Sequence, residues 1–382
     1  MRVAVVVRSL KIGGMERVAV NLAEAFVDAG DESHLIYFKD KKRAFTPKES
    51  VHFHHFNLDK TLNLTIIGAV LGILAKLLNG IFRNTYFIYS GLLFAPIFWF
   101  KLKNLEKKFG KFDLIIMRGH GTFELIWPLK DDRVVQMVES VFIKHGSKLD
   151  NFYIKCVYEG KNLAGVSSGV KEKIEEVLKI TSVKARSVNV VNNPLDIDVI
   201  KNKANEYEPD LEGKYIVSVG RVTPNKNISF LLESYKYARE FLGLTLPLVI
   251  IGDGHDMQNI KAKVQALELG LHVRFLGLLH NPYPWMKHAS LLTSTSFAEG
   301  FGMVLIEALC CHTKVLSTNS RGGVKDIMRD ELETYLVDFD TKDFAHKMLE
   351  VLNEEKSWNF EKLIDRFSSE AIVAKYKELY LS

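Results

Sequence analysis

Two carboxylates eight residues apart, Glu299 and Glu307, bracket the segment "EGFGMVLIE", with a glycine-flanked aromatic, Gly300-Phe301-Gly302, between them. The apolar "ASLLTS" run ahead of Glu299 and the apolar run after Gly302 predict a strand, a loop and a helix from about Met303 to Leu309. Glu299 then stands at the carboxyl end of a strand, where open α/β sheets bind ligands. The free backbone N–H groups of Gly302, Met303 and Val304 face the same place and suit an anion. Glu307 falls over one turn further along an apolar helix, so its carboxylate needs a partner. Two sugar hydroxyls would serve; so would a basic residue from a neighbouring loop. For Glu299 the simpler alternative is charge complementarity with the helix N-terminus.

Cations occur in a comparable setting. In "VSVGRVTPNKN" a strand delivers Gly220 and Arg221, and Lys226 follows five residues later, before a helix. Arg grips a diphosphate bidentately and Lys adds a point charge. Solvated loop charges are the plainer reading, although Arg221 follows a buried strand directly. Near the amino terminus, Gly13 and Gly14 separate a strand from a helix beginning near Glu16, which lets a ligand approach the backbone or simply makes a tight turn. "VIIGDGHDM" is a further strand-turn-helix segment and does not match the GxGxxG dinucleotide fingerprint. Cys156, Cys310 and Cys311 have no metal-site or disulfide-framework spacing and read as buried thiols.

These residues need strands and helices to hold them. Short β-rich runs alternate with helical patterns along all 382 residues, from Val3–Val7 to Thr334–Val337. Two series of such runs predict two parallel, Rossmann-like α/β domains. The polar stretch 190–215, which contains Asn193-Pro194, breaks the rhythm and marks the joint. The expected domains are 1–195 and 196–368, with 369–382 forming a terminal helix. Segments 62–80 and 84–100 are unusually apolar. They read first as two core helices, second as an interfacial patch flanked by Lys101, Lys103, Lys107 and Lys108, and third as a membrane hairpin. The start "MRVAVVVRSL" reads as a buried strand and lacks the features of a signal peptide. Residues 1–110 hold sixteen basic and nine acidic side chains, so this half carries about +7 of a chain whose net charge is +5. A basic half suggests an anionic partner such as membrane lipid or nucleic acid, but no nucleic-acid-binding signature accompanies it.

In their order and spacing these motifs resemble family 4 of the GT-B glycosyltransferases, retaining sugar transferases, over nearly the whole chain. "EGFGMVLIE" resembles the family's Glu-x7-Glu motif, "GRVTPNKN" its basic diphosphate loop, "IGGMERVAVNLA" its amino-terminal glycine loop and "VVNNPLDID" its interdomain segment. "NSRGGVKDIM" resembles its Gly-Gly stretch, with Asp326 where glutamate is usual. The resemblance implies two Rossmann-like domains facing across a cleft, with the terminal helix packing back on the first. It implies a nucleotide sugar, most commonly UDP-linked, as donor. Arg221 and Lys226 would hold the diphosphate and stabilise the leaving nucleotide, and Gly13 and Gly14 would approach it from the first domain. Glu307 would bind the ribose and Glu299 the donor sugar, with Phe301, Gly302, Met303 and Val304 beside the diphosphate. No essential metal or other cofactor is implied, since the two cations neutralise the phosphates.

Two departures stand out. Many members carry a histidine after the strand that here reads "RVVQMVES"; this chain has Glu139 there, and His120 in "MRGHGTFEL" is a second candidate for the reacting centre. Lys314 stands where the family tends to have proline. The reading is a hexosyl- or N-acetylhexosaminyltransferase, peripheral at the cytoplasmic face of the membrane. Its acceptor would be lipopolysaccharide or a polyprenyl-linked glycan. A nucleotide-sugar epimerase or phosphorylase and a non-catalytic nucleotide-sugar binder are the alternatives on the same fold.

Overall fold

The computed structural model describes residues 1–11, 13–81, 86–119, 121–140 and 148–381. The chain forms two compact units, Met1–Pro194 with Ser369–Ser382, and Leu195–Ser368. Both are parallel α/β layers, the predicted fold class.

The first unit is built on seven parallel strands in the order β3-β2-β1-β4-β5-β6-β7. They are β1 (Arg2–Ser9), β2 (Glu32–Lys39), β3 (His52–His55), β4 (Leu114–Arg118), β5 (Val134–Val138), β6 (Asn162–Gly165) and β7 (Ser187–Val190). Helices cover both faces of such a sheet, so its central strands read as unbroken apolar runs, and Val3 to Val7 are all fully buried. The helix Gly14–Asp28 packs on this sheet together with the helix Ser369–Leu381. Tyr376 is fully buried with its ring 5.9 Å from that of Phe26, and Lys377 pairs with Asp31 at 2.7 Å.

The two apolar segments behave differently. Helix Tyr86–Phe109 buries Ser90, Gly91, Phe94, Ala95, Phe98 and Leu102. Helix Ile66–Ile81 is not a core helix: Ile66, Ile67, Ile73 and Leu77 are exposed, and Ile66 shows 86% of its surface. Among the described residues no helix is long and apolar enough to cross a membrane.

The second unit has six parallel strands in the order β10-β9-β8-β11-β13-β15. These are β8 (Ile216–Val219), β9 (Leu248–Ile251), β10 (Val273–Gly277), β11 (Leu291–Ser294), β13 (Val315–Thr318) and β15 (Leu336–Val337). A separate two-residue pair, β12 (Ala298–Glu299) with β14 (Arg321–Gly322), fixes the loop beyond β11. Lys314 leads into β13 and donates to the carbonyls of Val351, at 3.0 Å, and Glu354, at 2.6 Å. It thereby caps the carboxyl end of the helix Thr341–Asn353, which accounts for a cation at that position.

Candidate active site

In the second unit the carboxyl ends of β8, β9 and β11 converge. Glycines make this possible. Gly220 leaves β8 at φ 154°, and its N–H donates to Ile251 at the end of β9. A Cβ on Gly252 would lie 1.8 Å from the Gly220 carbonyl oxygen, so the two strand exits touch only because that position has no side chain. Arg221 follows, exposed and without a hydrogen bond or ion pair among the described residues. Pro224–Lys226 then forms a single 3-10 turn, and Asn227, in a left-handed conformation, starts the helix Ile228–Leu242.

Lys226 points to the loop after β11 and makes an ion pair with Glu299. The same Glu299 oxygen accepts from Ser296 Oγ at 2.6 Å. The loops are stitched together further. Asn225 Nδ2 donates to the Ala298 carbonyl at 2.8 Å, and Thr295 Oγ1 donates to the Lys226 carbonyl at 3.1 Å. Gly322 packs under Glu299, where a Cβ would lie 2.0 Å from the Glu299 carbonyl oxygen. A pocket opens here, lined by Gly220, Arg221, Lys226, Thr293 to Ser296 and Val304. Two basic side chains, several hydroxyls and the first turn of a helix thus meet at one pocket, with Ile228, Ile250 and Ile251 forming its apolar wall. Such a space can hold a dianion and hydrogen-bond a polyol next to it.

The helix Met303–Cys310 begins at Gly302, whose φ of 103° is a left-handed conformation suited to glycine. Phe301 does not face the pocket with its ring; the ring is buried 5.4 Å from that of Phe367 and anchors the loop. Glu307, half-buried, accepts from the Tyr283 hydroxyl at 3.3 Å.

The first unit has its own cluster at the carboxyl ends of its strands. Gly13 caps the helix Gly14–Asp28, and a Cβ there would meet the Glu16 carboxylate at 2.3 Å, while Gly14 faces open space. Burial raises the Glu16 carboxyl above its ordinary range, and the charge of Glu139 adds to the shift. Glu139 is itself held by Arg118, the last residue of β4, across 2.5 Å. Arg118 is fully buried and also donates to Asn193 Oδ1 at 2.6 Å. Among the described residues its Nε and Nη1 have no hydrogen-bond partner. Sequence reasoning missed Arg118 and Glu16. The signal for Arg118 was a cation ending a buried strand, as at Arg221. His120 lies outside the described residues.

Two parallel α/β units, each with charged residues at its strand ends, define a protein of the GT-B fold. Known structures share that fold. HepE of Anabaena, solved in complex with UDP, aligns over 99% of both chains with TM-score 0.68 and 16% identity. The lipopolysaccharide outer core galactosyltransferase WaaB, in its apo form, aligns over 99% of this chain and 98% of its own with TM-score 0.65 and 18% identity. At the level of sequence, residues 12–199 match the profile described as Glycosyltransferase Family 4, and residues 199–371 the profile described as Glycosyl transferases group 1. The chain belongs to glycosyltransferase family 4. A curated relative is the N-acetylgalactosamine-N,N'-diacetylbacillosaminyl-diphospho-undecaprenol 4-alpha-N-acetylgalactosaminyltransferase of Campylobacter jejuni subsp. jejuni serotype O:2. It is 27% identical over 360 residues, covering 93% of this chain and 90% of the relative.

Proposed function

We propose that this glycosyltransferase moves a hexose or N-acetylhexosamine from a UDP-linked donor to a polyprenyl-diphosphate-linked glycan, with retention at the anomeric carbon. Arg221 carries this reading. It is a cation with no partner among the described residues, standing at the end of a central strand beside Lys226 and a helix N-terminus. Unpaired positive charge at that place calls for an anion, and a nucleoside diphosphate fits it. Arg221 and Lys226 neutralise the leaving diphosphate as the glycosidic bond breaks. Glu299 binds the donor sugar, Glu307 the ribose, and no protein metal ion takes part. Same-face attack by the acceptor hydroxyl on an oxocarbenium-like centre retains the configuration. By the family resemblance, Gly13 and Gly14 would give the phosphates backbone room, and Glu139 or His120 would serve the reacting centre. UDP in the HepE structure supports the base, and the lipid-linked acceptor named for the Campylobacter relative supports the acceptor class.

The exposed apolar face of the helix Ile66–Ile81, with Lys76 on it and Lys101, Lys103, Lys107 and Lys108 on the next helix, supports contact with an anionic cytoplasmic membrane surface. No nucleic acid is required.

Titration of UDP, GDP and ADP into the protein and its Arg221→Ala variant tests the donor site. The expected result is binding of UDP that weakens at least about tenfold in the variant. Equal affinity in both proteins would remove Arg221 from the donor site. Ile67→Asp with Leu74→Asp is expected to reduce cosedimentation with phosphatidylglycerol-containing vesicles by about tenfold or more, leaving UDP affinity unchanged. Undiminished cosedimentation would assign the membrane contact elsewhere.

A further inference from the structure

Far from the phosphate-binding loops, at the amino-terminal ends of β2 and β3, four ionisable side chains converge on one face of the sheet. The register forces them together. His34 of β2 stands opposite His52 of β3, and Glu32 lies two residues before His34, hence on the same face. His34 Nε2 is 3.1 Å from Glu32 Oε1, and His52 Nε2 is 4.0 Å from that same oxygen. One donor atom from each of the three lies within 4.8 Å of the others. A tetrahedral zinc ion with bonds of about 2.0–2.2 Å to nitrogen and oxygen places its donors roughly 3.3–3.5 Å apart, so small side-chain rotations suffice. We propose that Glu32, His34 and His52 form a binding site for a divalent transition-metal ion of zinc type, which fastens the edge strand β3 to the sheet.

The groups around the three are those a metal site needs. A ligating histidine normally donates its other N–H to an acceptor, and a ligating carboxylate is itself hydrogen-bonded. Here His34 Nδ1 lies 2.9 Å from His54 Nε2, and Arg2 Nη2 donates to Glu32 Oε2, the oxygen facing away from the imidazoles, at 2.6 Å. Phe109 and Phe112 set their rings edge-on to His34 at 4.9 Å and wall off one side. The side chains of His52 and Glu32 remain 44% and 32% exposed, which leaves an entry path and room for water as a fourth ligand. Arg2 and Lys108 are the cations facing the cluster, and Arg2 is neutralised by Glu32.

Without an ion the cluster is already satisfied: His54 Nε2–H donates to His34 Nδ1, and His34 Nε2–H donates to Glu32. Loading a cation on His34 Nε2 requires only that both rings exchange tautomers. Hydrogen bonds alone leave His52 unexplained, since it approaches Glu32 no nearer than 4.0 Å. The site occupies the opposite ends of the strands from Gly13 and Arg118, so an ion there acts on stability and not on transfer.

The test is calorimetric titration of Zn²⁺ into chelator-stripped full-length protein, with metal content measured after dialysis. Thermal melts and sugar-transfer assays accompany it. One equivalent is expected, with a melting temperature raised by zinc and transfer unchanged. His52→Ala is the first variant, because that side chain is exposed and its loss leaves the His34 core intact; Glu32→Gln is the second. Each is expected to weaken zinc binding about tenfold or more and to lose the zinc-dependent rise in melting temperature. His280→Ala, on the other unit, is expected to bind as the parent does. Absence of stoichiometric binding, or binding that survives both His52→Ala and Glu32→Gln, would overturn the site.

Discussion

The ion pairs Arg118–Glu139 and Lys226–Glu299 both stand at the carboxyl ends of a parallel sheet, one step apart in strand order. Each joins the exits of neighbouring parallel strands, β4 with β5 in the first unit and β8 with β11 in the second. What surrounds them differs. The Arg118 side chain is fully inaccessible and shares its guanidinium with Asn193, whereas the Lys226 side chain is 24% exposed at a pocket beside Arg221, which has no partner among the described residues. A buried cation holds the acid and the chain around it in place, because losing either partner strands the other charge. A partly exposed cation at the edge of a pocket can turn to an incoming anion at little cost. An ion pair at strand exits thus suits a strut in the first unit and, under the proposed function, a binding device in the second.

The largest effect that separates the two concerns stability. Arg118→Ala leaves Glu139 without its counter-charge and is expected to lower unfolding free energy by about 3–5 kcal/mol, read by urea denaturation. A loss below about 1 kcal/mol would make it as dispensable as a surface pair. Lys226→Ala is expected to change stability by less than about 1 kcal/mol yet lower kcat by about 10²–10³, measured by release of UDP from the donor. Unchanged turnover would show that Lys226 serves Glu299 alone. Glu299→Gln sharpens the contrast. It frees Lys226 for the diphosphate, so UDP affinity should rise about threefold, within the energy of a partly exposed pair, while transfer falls. Weaker UDP binding in that variant would mean that Glu299 positions Lys226 instead of competing for it.

The smallest effect at neutral pH concerns a third cation, Lys161, which is buried and donates to the carbonyls of Trp127 and Leu129 with no carboxylate partner among the described residues. Burial lowers its ammonium to about 8 from the ordinary 10.5. The unfolded chain therefore binds more protons than the folded one between those values, so stability rises with pH across that window. Lys161→Met should flatten the rise in urea midpoint. A rise of equal size in the variant would assign it to another group.

Much of this architecture is visible in the sequence because parallel strands buried on both faces leave unbroken apolar runs, as at Val3–Val7. The exception, β3, reads "HFHH", an edge strand whose polar side chains hide it. Apolar content could not place the helix Ile66–Ile81, since hydropathy says that a face seeks cover without saying what covers it. The loop bearing Arg221 and Lys226 and the one bearing Glu299 were readable from residue type and spacing. The pairing of Lys226 with Glu299 across 73 residues was not, because no local pattern encodes the approach of two strand exits. The same holds for Arg118, whose partners Glu139 and Asn193 lie in separate loops.

The return of Ser369–Leu381 to the first unit sets an order of events in synthesis. The whole second unit, Leu195–Ser368, is translated between the last strand of the first sheet and the helix that delivers Tyr376 to its core. At a ribosomal rate of about 5–20 residues per second, that delay lasts roughly 10–35 seconds. Throughout it the groove around Phe26 stays uncovered on the nascent chain, open to chaperones, while the second unit can already close. The part of the protein carrying Lys226 and Glu299 is thus complete before the part carrying Arg118 and Glu139.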